Sequence, residues 1–247
     1  MVFVAAVLVL VSPILSCSTT VPSGATQLSS QVYVERLEPG LWRHVSHRFV
    51  PTYGNVPSNG LIVRARGGAL VIDTAWNNEQ TASVLDWAEE NVGPVLAVVV
   101  THSHEDRIGG IENVHERGIP SYGLEATSAL AVARGKPNLT HTFSEASVMS
   151  LSKFGVTGEV FYPGPGHTVD NIVIWLERYS TLFGSCTVRG AKWNLGNLDD
   201  AAPKKWLRSS AVLVERYRRA QRVVPGHGEP GGTELLVRTR NLVEEIQ

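Results

Sequence analysis

His102, His104 and Asp106 stand at alternate positions of the run Thr101-His102-Ser103-His104-Glu105-Asp106. Alternate residues of an extended chain project to one side, so the spacing predicts two imidazoles and a carboxylate facing one pocket. Three further segments carry donor side chains behind a Gly or Pro turn: Pro163-Gly164-Pro165-Gly166-His167, Gly184-Ser185-Cys186 and Pro225-Gly226-His227-Gly228. Neutral imidazole, thiolate and carboxylate are zinc ligands, and His with Cys favours Zn²⁺ over Mg²⁺ or Ca²⁺, whose sites are built from oxygen. The six donors His102, His104, Asp106, His167, Cys186 and His227 exceed what one tetrahedral ion needs and suit two. Divided as His102/His104/His167 and Asp106/Cys186/His227, they leave each ion three protein ligands and an open position, the catalytic rather than the structural pattern. Gly184 before Cys186 and a hydrophilic loop after it predict an accessible rim for the thiol, where an isolated cysteine would be a small buried hydrophobe. His44, His47, His115 and His141 lack such companions and read as ordinary polar surface residues.

Each donor segment follows an apolar run that reads as a strand, and positioning the donors is the work of these strands. Val98-Val99-Val100, Val160-Phe161-Tyr162, Leu182-Phe183 and Val223-Val224 lead into the four segments. In open α/β sheets the strand C-termini form a common rim, so the four loops can converge on one site. Upstream, 32–37, 41–45, 61–66 and 69–73 alternate or run apolar between Gly, Pro and Asn, as consecutive strands do. Residues 81–91 carry helical spacing before the buried strand 95–100. The spacing predicts further helices over 125–134, 204–220 and 234–246, and strands over 159–162, 172–176, 181–183 and 222–224. With no repeat and no internal linker, a single α/β domain over 31–247 is expected.

Composition removes other classes. The chain has 247 residues, 22 Lys+Arg against 23 Asp+Glu, 43% hydrophobic residues and two cysteines. That length buries a full core without disulfide staples. A net charge of −1 without a long basic run argues against a nucleic-acid partner. Residues 2–16 form an uncharged apolar stretch ending at Ser16-Cys17. It is shorter than the ~20 residues of a spanning helix and reads as a signal peptide over 1–17, with Cys17 placed as in a bacterial lipobox. The positive charges that usually precede such a stretch are missing after Met1. Residues 18–30 then read as a flexible leader.

At its donor segments the chain resembles the class B metallo-β-lactamases, and within them the broad-spectrum di-zinc subclass B1. The resemblance runs from about residue 31 to the end. The superfamily's common motif continues His-x-His-x-Asp-His, but here Arg107 follows Asp106, and Cys186 is present instead. That exchange marks the Asp-Cys-His second site and separates the chain from glyoxalase-type hydrolases. The mono-zinc subclass carries Asn where His102 stands. The resemblance implies a four-layer αβ/βα sandwich with two zinc ions at one edge of the facing sheets. It places Asp73 behind the site with Trp76, and Arg107 in support of the Asp106/Cys186 side. Arg189 takes the position of a cation, usually Lys, that binds the antibiotic's carboxylate, and Asn197 that of an asparagine polarising the lactam carbonyl. Residues 47–59, with Phe49 and Tyr53, become a mobile flap, and Trp193 the opposite wall. Ser185 departs from the usual Gly-Gly-Cys and Arg189 from Lys, departures expected to touch substrate preference and not the metal set.

The implied activity is hydrolysis of the β-lactam amide bond of penicillins, cephalosporins and carbapenems by a metal-bound hydroxide, which Asp106 orients, and hence antibiotic resistance. No acyl-enzyme is implied, and the sequence shows no Ser-x-x-Lys signal with the partners a serine nucleophile would need. The expected partners are a small β-lactam and, through Cys17 alone, a membrane; the protein is expected as a periplasmic monomer. The alternatives are another hydrolase of this fold, acting on a thioester, lactone or phosphoester, and a non-catalytic zinc-binding envelope lipoprotein with closed four-ligand sites.

Overall fold

The computed structural model describes residues 21–247 except Ser147. The segment expected as a signal peptide, 1–17 with Cys17, lies outside the described residues. The first sheet contains β1 (Thr26–Ser29), β2 (Val32–Glu38), β3 (Leu41–Val50), β4 (Gly54–Ala65), β5 (Gly68–Ile72), β6 (Val95–Val99), β7 (Ser121–Leu124) and β8 (His141–Phe143), in that spatial order. The second contains β9 (Met149–Ser150), β10 (Gly158–Phe161), β11 (Val173–Leu176), β12 (Thr181–Ser185) and β13 (Arg222–Pro225), again in order. The helices are α1 (Asn78–Asn91), α2 (Glu105–Ile108), α3 (Ile111–Glu116), α4 (Glu125–Ala133), α5 (Pro203–Arg216) and α6 (Glu234–Glu244).

Side-chain alternation assembles these into four layers. Along β5, Leu70 and Ile72 face one way and join Leu41, Leu61 and Val63 against Val160, Ile174, Leu176 and Phe183 of the second sheet. The intervening Ala69 and Val71 face outward onto Val84, Leu85 and Ala88 of α1 and Ile111 and Val114 of α3. In the second sheet Val173, Leu182 and Val223 point away from the centre, onto Leu213 of α5 and Leu235 and Leu236 of α6. Apolar strands buried on both faces are what sheets covered by helices require, and the result is the helix–sheet–sheet–helix sandwich. Local signals agree at the ends: the Asn77 side chain accepts from the Gln80 amide to cap α1, and Pro203 opens α5.

Strand direction explains the convergence of the loops. β12 and β13 are parallel, and β10 and β12 both run antiparallel to β11, so β10, β12 and β13 end at the same edge. In the other sheet β5 and β6 are parallel, which sets the segments after Ile72 and Val99 side by side. The amide of Ile172 donates to the carbonyl of Thr101 at 3.0 Å, tying the two sheets together at that edge.

Two expectations about the chain's course are corrected. Thr26–Ser29, placed in the flexible leader by composition, forms edge strand β1 against β2. The flap expected over 47–59 is mostly ladder: His47 pairs with Pro57 and Val50 with Gly54, so β3 and β4 form one long hairpin whose turn spans only 51–53. Gly54, with φ of 74°, closes that turn in the left-handed region that favours glycine.

Candidate metal centre

β6 ends at Val99, and the chain then bends sharply, so His102 to Asp106 is not the extended segment that alternation implied. His102 comes off the bend, His104 precedes α2, and Asp106 sits within that helix's first turn. The three side chains still reach the same edge, by a turn of helix in place of a pleat. His167 comes from the loop after β10, Cys186 directly follows β12, and His227 follows β13.

The donors fall into two sets. The rings of His102, His104 and His167 have centroids 4.9, 5.3 and 5.0 Å apart, with each pair tilted by 75° or more. One nitrogen of each lies within 4.8 Å of the others. Nδ1 of His104 and Nε2 of His167 approach to 3.2 Å. In the second set, Cys186 Sγ lies 3.4 Å from Asp106 Oδ2 and 3.3 Å from His227 Nε2, and the latter two are 3.3 Å apart. Bonds of about 2.0–2.3 Å around a tetrahedral ion place neighbouring ligand atoms about 3.3–3.8 Å apart, the spacing of this triangle. His102 also lies within 4.8 Å of the Asp106 and Cys186 donor atoms, so the two sets adjoin.

Hydrogen bonds at the far side of the rings select which nitrogen is bare. His227 Nδ1–H donates to the Pro57 carbonyl at 2.6 Å, leaving Nε2 for the cluster. His104 Nε2–H donates to Asp200 Oδ2 at 2.8 Å, leaving Nδ1. His102 Nε2 is buried with no partner within the protein, an open acceptor aimed into the set. Burial lowers the pKa of His102 and His167 well below the ordinary value, with the neighbouring His104 adding to it, and burial lowers His227 to about 4. All three are therefore neutral imidazoles near pH 7, the form that can hold a metal.

Arg107 governs the charge of the second set. Its Nη2 donates to Cys186 Sγ at 3.1 Å and the Gly226 carbonyl at 2.8 Å and lies 2.8 Å from Asp106 Oδ2. Its Nη1 donates to the Asn59 carbonyl and lies 3.3 Å from Asp73 Oδ2. Burial pushes Asp106 up, but the charge of Arg107 beside it outweighs that and holds the carboxyl well below its usual range. Burial raises the Cys186 thiol to about 12 against the pull of Arg107. Cys186 is itself buried and not at the accessible rim expected for it: the Arg107 side chain and the Gly226 backbone close over it. Asp73 accepts from the Thr101 amide at 2.7 Å and the Thr101 hydroxyl at 2.8 Å, so it shapes the floor beneath His102.

A cleft of about 680 Å³ opens over the donors, lined by His104, Asp106, His167 and His227 below and by Phe49, Tyr53, Trp76, Trp193 and Asn197 around the rim. Phe49 and Tyr53 are 68% and 50% exposed on the hairpin, and Trp193 stacks on the His227 ring at 5.3 Å. Asn197 is exposed on the rim, its side-chain oxygen accepting from the Asp199 amide at 2.8 Å. Arg189 lies in the wall rather than facing out. It is 4% exposed, and its Nε donates to the Asn194 carbonyl at 2.7 Å, because the loop folds back over it. Lys192 is the exposed cation of that loop in the cleft.

Two residues of the region escaped the sequence reading, and two histidines are placed differently from it. Asp200 holds His104 and is paired with Arg134 at 2.9 Å. Glu105, between two donors, pairs with Arg48 of the hairpin. His44 is buried with its Nε2 against the Ile72 carbonyl at 3.3 Å, and His47 is buried too; neither is the surface residue expected. Spacing to a motif could not reveal them, since each meets the site through tertiary contact alone.

Comparison with known proteins agrees with this geometry. Residues 53–227 match the family model of the metallo-beta-lactamase superfamily. A metallo-beta-lactamase type 2 of Pseudomonas aeruginosa is 37% identical over 223 residues, covering 90% of this chain and 87% of the relative. The solved metallo-beta-lactamase from Pontibacter korlensis superposes with a TM-score of 0.83 at 38% identity, over 87% of this chain and 99% of that one. FIM-1 from Pseudomonas aeruginosa, solved in a mono-zinc form, superposes with a TM-score of 0.81 at 32% identity, over 87% and 96% of the two chains. With the family model covering most of the chain, the sandwich shared and the donor loops at its edge, the protein belongs to the metallo-beta-lactamase superfamily.

Proposed function

We propose that the chain hydrolyses the β-lactam amide bond of penicillins, cephalosporins and carbapenems, using one zinc ion held by His102, His104 and His167 and a second held by Asp106, Cys186 and His227. The observation that carries this reading is the pair of adjoining donor sets beneath one open cleft. The open Nε2 of His102 and the donor triangle of the second set fit tetrahedral zinc, and relatives in the same family bear the lactamase name. Zinc bound there would supply Lewis acidity and an acidified water at neutral pH.

The chain's own residues do the rest. Asp106, kept ionised by Arg107, would give the second ion the oxygen beside Cys186 and His227, which leaves its other carboxylate oxygen to orient the attacking water. Asn197 can turn its amide N–H groups toward a lactam carbonyl in the cleft, because only its oxygen is held by the loop. An anionic substrate meets the Lys192 ammonium at the rim, with the Arg189 charge behind it. Phe49 and Tyr53 offer apolar cover that keeps bulk water from the bound ring. The apolar segment ending at Cys17 supports export to the periplasm, with that cysteine placed where a lipid anchor would be attached.

The test is turnover of one antibiotic from each of the three classes by the purified protein, before chelation, after it and after zinc is restored, alongside zinc stoichiometry. Loss and recovery of turnover with two zincs per chain is expected, and Cys186→Ala should reduce the stoichiometry from two to one. Turnover that survives complete metal removal, or none with two zincs bound, would sink the proposal.

A further inference from the structure

Ser185 occupies a backbone position that serine adopts at a cost, with φ of 47°, and it is completely buried. A glycine would take this conformation freely, and glycine is the usual residue before the cysteine in the family this chain resembles. The hydroxyl explains what offsets the strain. Ser185 Oγ lies 2.7 Å from Thr101 Oγ1, which donates its single proton to Asp73 Oδ2 at 2.8 Å. Ser185 is therefore the donor to Thr101. The remaining lone pair of Thr101 Oγ1 faces His102 Nδ1 at 3.4 Å. That nitrogen must carry the ring proton, which leaves Nε2, the buried atom without a partner, as the bare ligand. The Ser185 carbonyl meanwhile accepts from the Gly226 amide at 2.6 Å, next to His227, and Cys186 follows directly.

We propose that Ser185 is a positioning residue which, through Thr101, fixes the ring of His102 for the first metal, and so links that set to the strand end carrying Cys186. The chain Ser185–Thr101–Asp73 saturates the Thr101 hydroxyl, one donor and two acceptor positions, in a site closed to water. With the serine hydroxyl gone, Thr101 can turn its proton away from Asp73, and His102 loses its fixed partner. Ser185 then bears on the metal set and not only on substrate preference, contrary to the expectation from sequence.

This inference rests on the metal-centre reading, and the experiment separates the two. The full chain and its Ser185→Gly and Ser185→Ala variants are loaded with Co²⁺, whose d–d bands report the histidine set and whose thiolate charge-transfer band reports Cys186. Each equivalent is titrated against a competing chelator. Both variants should bind at the histidine set about tenfold more weakly, with the thiolate band kept. Glycine removes the strain along with the hydroxyl, so a purely conformational role predicts that Ser185→Gly binds as the parent does. Unchanged affinity in both variants, a fall in only one, or a change confined to the thiolate band would overturn the role of Ser185. No metal uptake by the parent chain would instead defeat the metal-centre reading itself.

Discussion

The two donor sets lie side by side but are held by opposite means. The histidine set is neutral, and its fixing partners are side chains: Thr101 for His102 and the half-exposed Asp200 for His104. The Asp106/Cys186/His227 set is anionic when loaded, and backbone surrounds it. Pro57 fixes His227, while the Asn59 and Gly226 carbonyls hold the Arg107 that neutralises Asp106 and faces Cys186. The difference follows from charge. Neutral imidazoles need only orientation, and a hydrogen bond to the outer nitrogen provides it for His102 and His104, while burial alone holds His167. A carboxylate below the surface needs a counter-charge before the metal arrives, and a buried guanidinium in turn needs carbonyls to satisfy its donors. The second set is thus part of the fold, whereas the first is mounted on it.

The largest break in this contrast is Arg107→Leu. It leaves the Asp106 and Asp73 carboxylates buried without their cation, an arrangement that costs about 3–5 kcal/mol. Urea unfolding of the metal-stripped protein should show that loss. A comparable cost from Asp200→Ala would erase the distinction between a set built into the fold and one mounted on it.

Next comes His44, behind the second set. Burial, with the Arg107 charge adding to it, lowers its pKa from the ordinary 6.5 to about 4. The unfolded chain takes up this proton below about pH 6.5 and the folded chain only near 4, so stability is complete above that range and falls as pH drops through it. The share of this one group is about 3 kcal/mol across the window. His44→Gln should flatten the pH dependence of unfolding of the metal-free protein between pH 6.5 and 4; an unaltered slope would show that His44 is not the group that titrates there.

Asp200→Ala addresses the first set alone. Losing the acceptor on His104 Nε2 should weaken zinc at the histidine set about 10–100-fold while the second set keeps its affinity, as read by competition with a chelator. Equal weakening of both would mean that the sets share one support.

The same division governs how much could be read from sequence. The strand-end donors were legible because a sheet edge converts an apolar run plus a Gly or Pro turn into a position: His167, Cys186 and His227 sit where that pattern put them, after β10, β12 and β13. The layers were legible from alternation along segments such as 69–73. The route of Asp106 was not, since a spacing of two residues fits both a pleat and the first turn of α2. Asp200 lies 96 residues from the histidine that it holds, in a loop without periodicity. The resemblance places Arg189 as a substrate-facing cation, but a carbonyl of its own loop holds it inward. Side chains set by a strand's direction can be placed from sequence, and those set by a partner across the fold cannot.

The smallest effect belongs to the rim, which stands outside the contrast between the sets. Phe49 projects from the β3–β4 hairpin with 68% of its surface exposed, on the rim of the cleft. Its contribution is apolar area covered when substrate lies in the cleft, about 1 kcal/mol for a ring that stays partly wet. Phe49→Ala should therefore raise KM roughly fivefold with kcat nearly unchanged, because cover lost equally from ground and transition states weakens binding without slowing the chemical step. Zinc affinity at both sets should match the parent protein. A fall in kcat together with weaker zinc would show that the hairpin steadies the centre, through the Arg48–Glu105 pair that joins it to the His104–Asp106 turn. The rim would then count as a third support of the metal centre, reaching it from the loop that carries both a ligand of the first set and a ligand of the second.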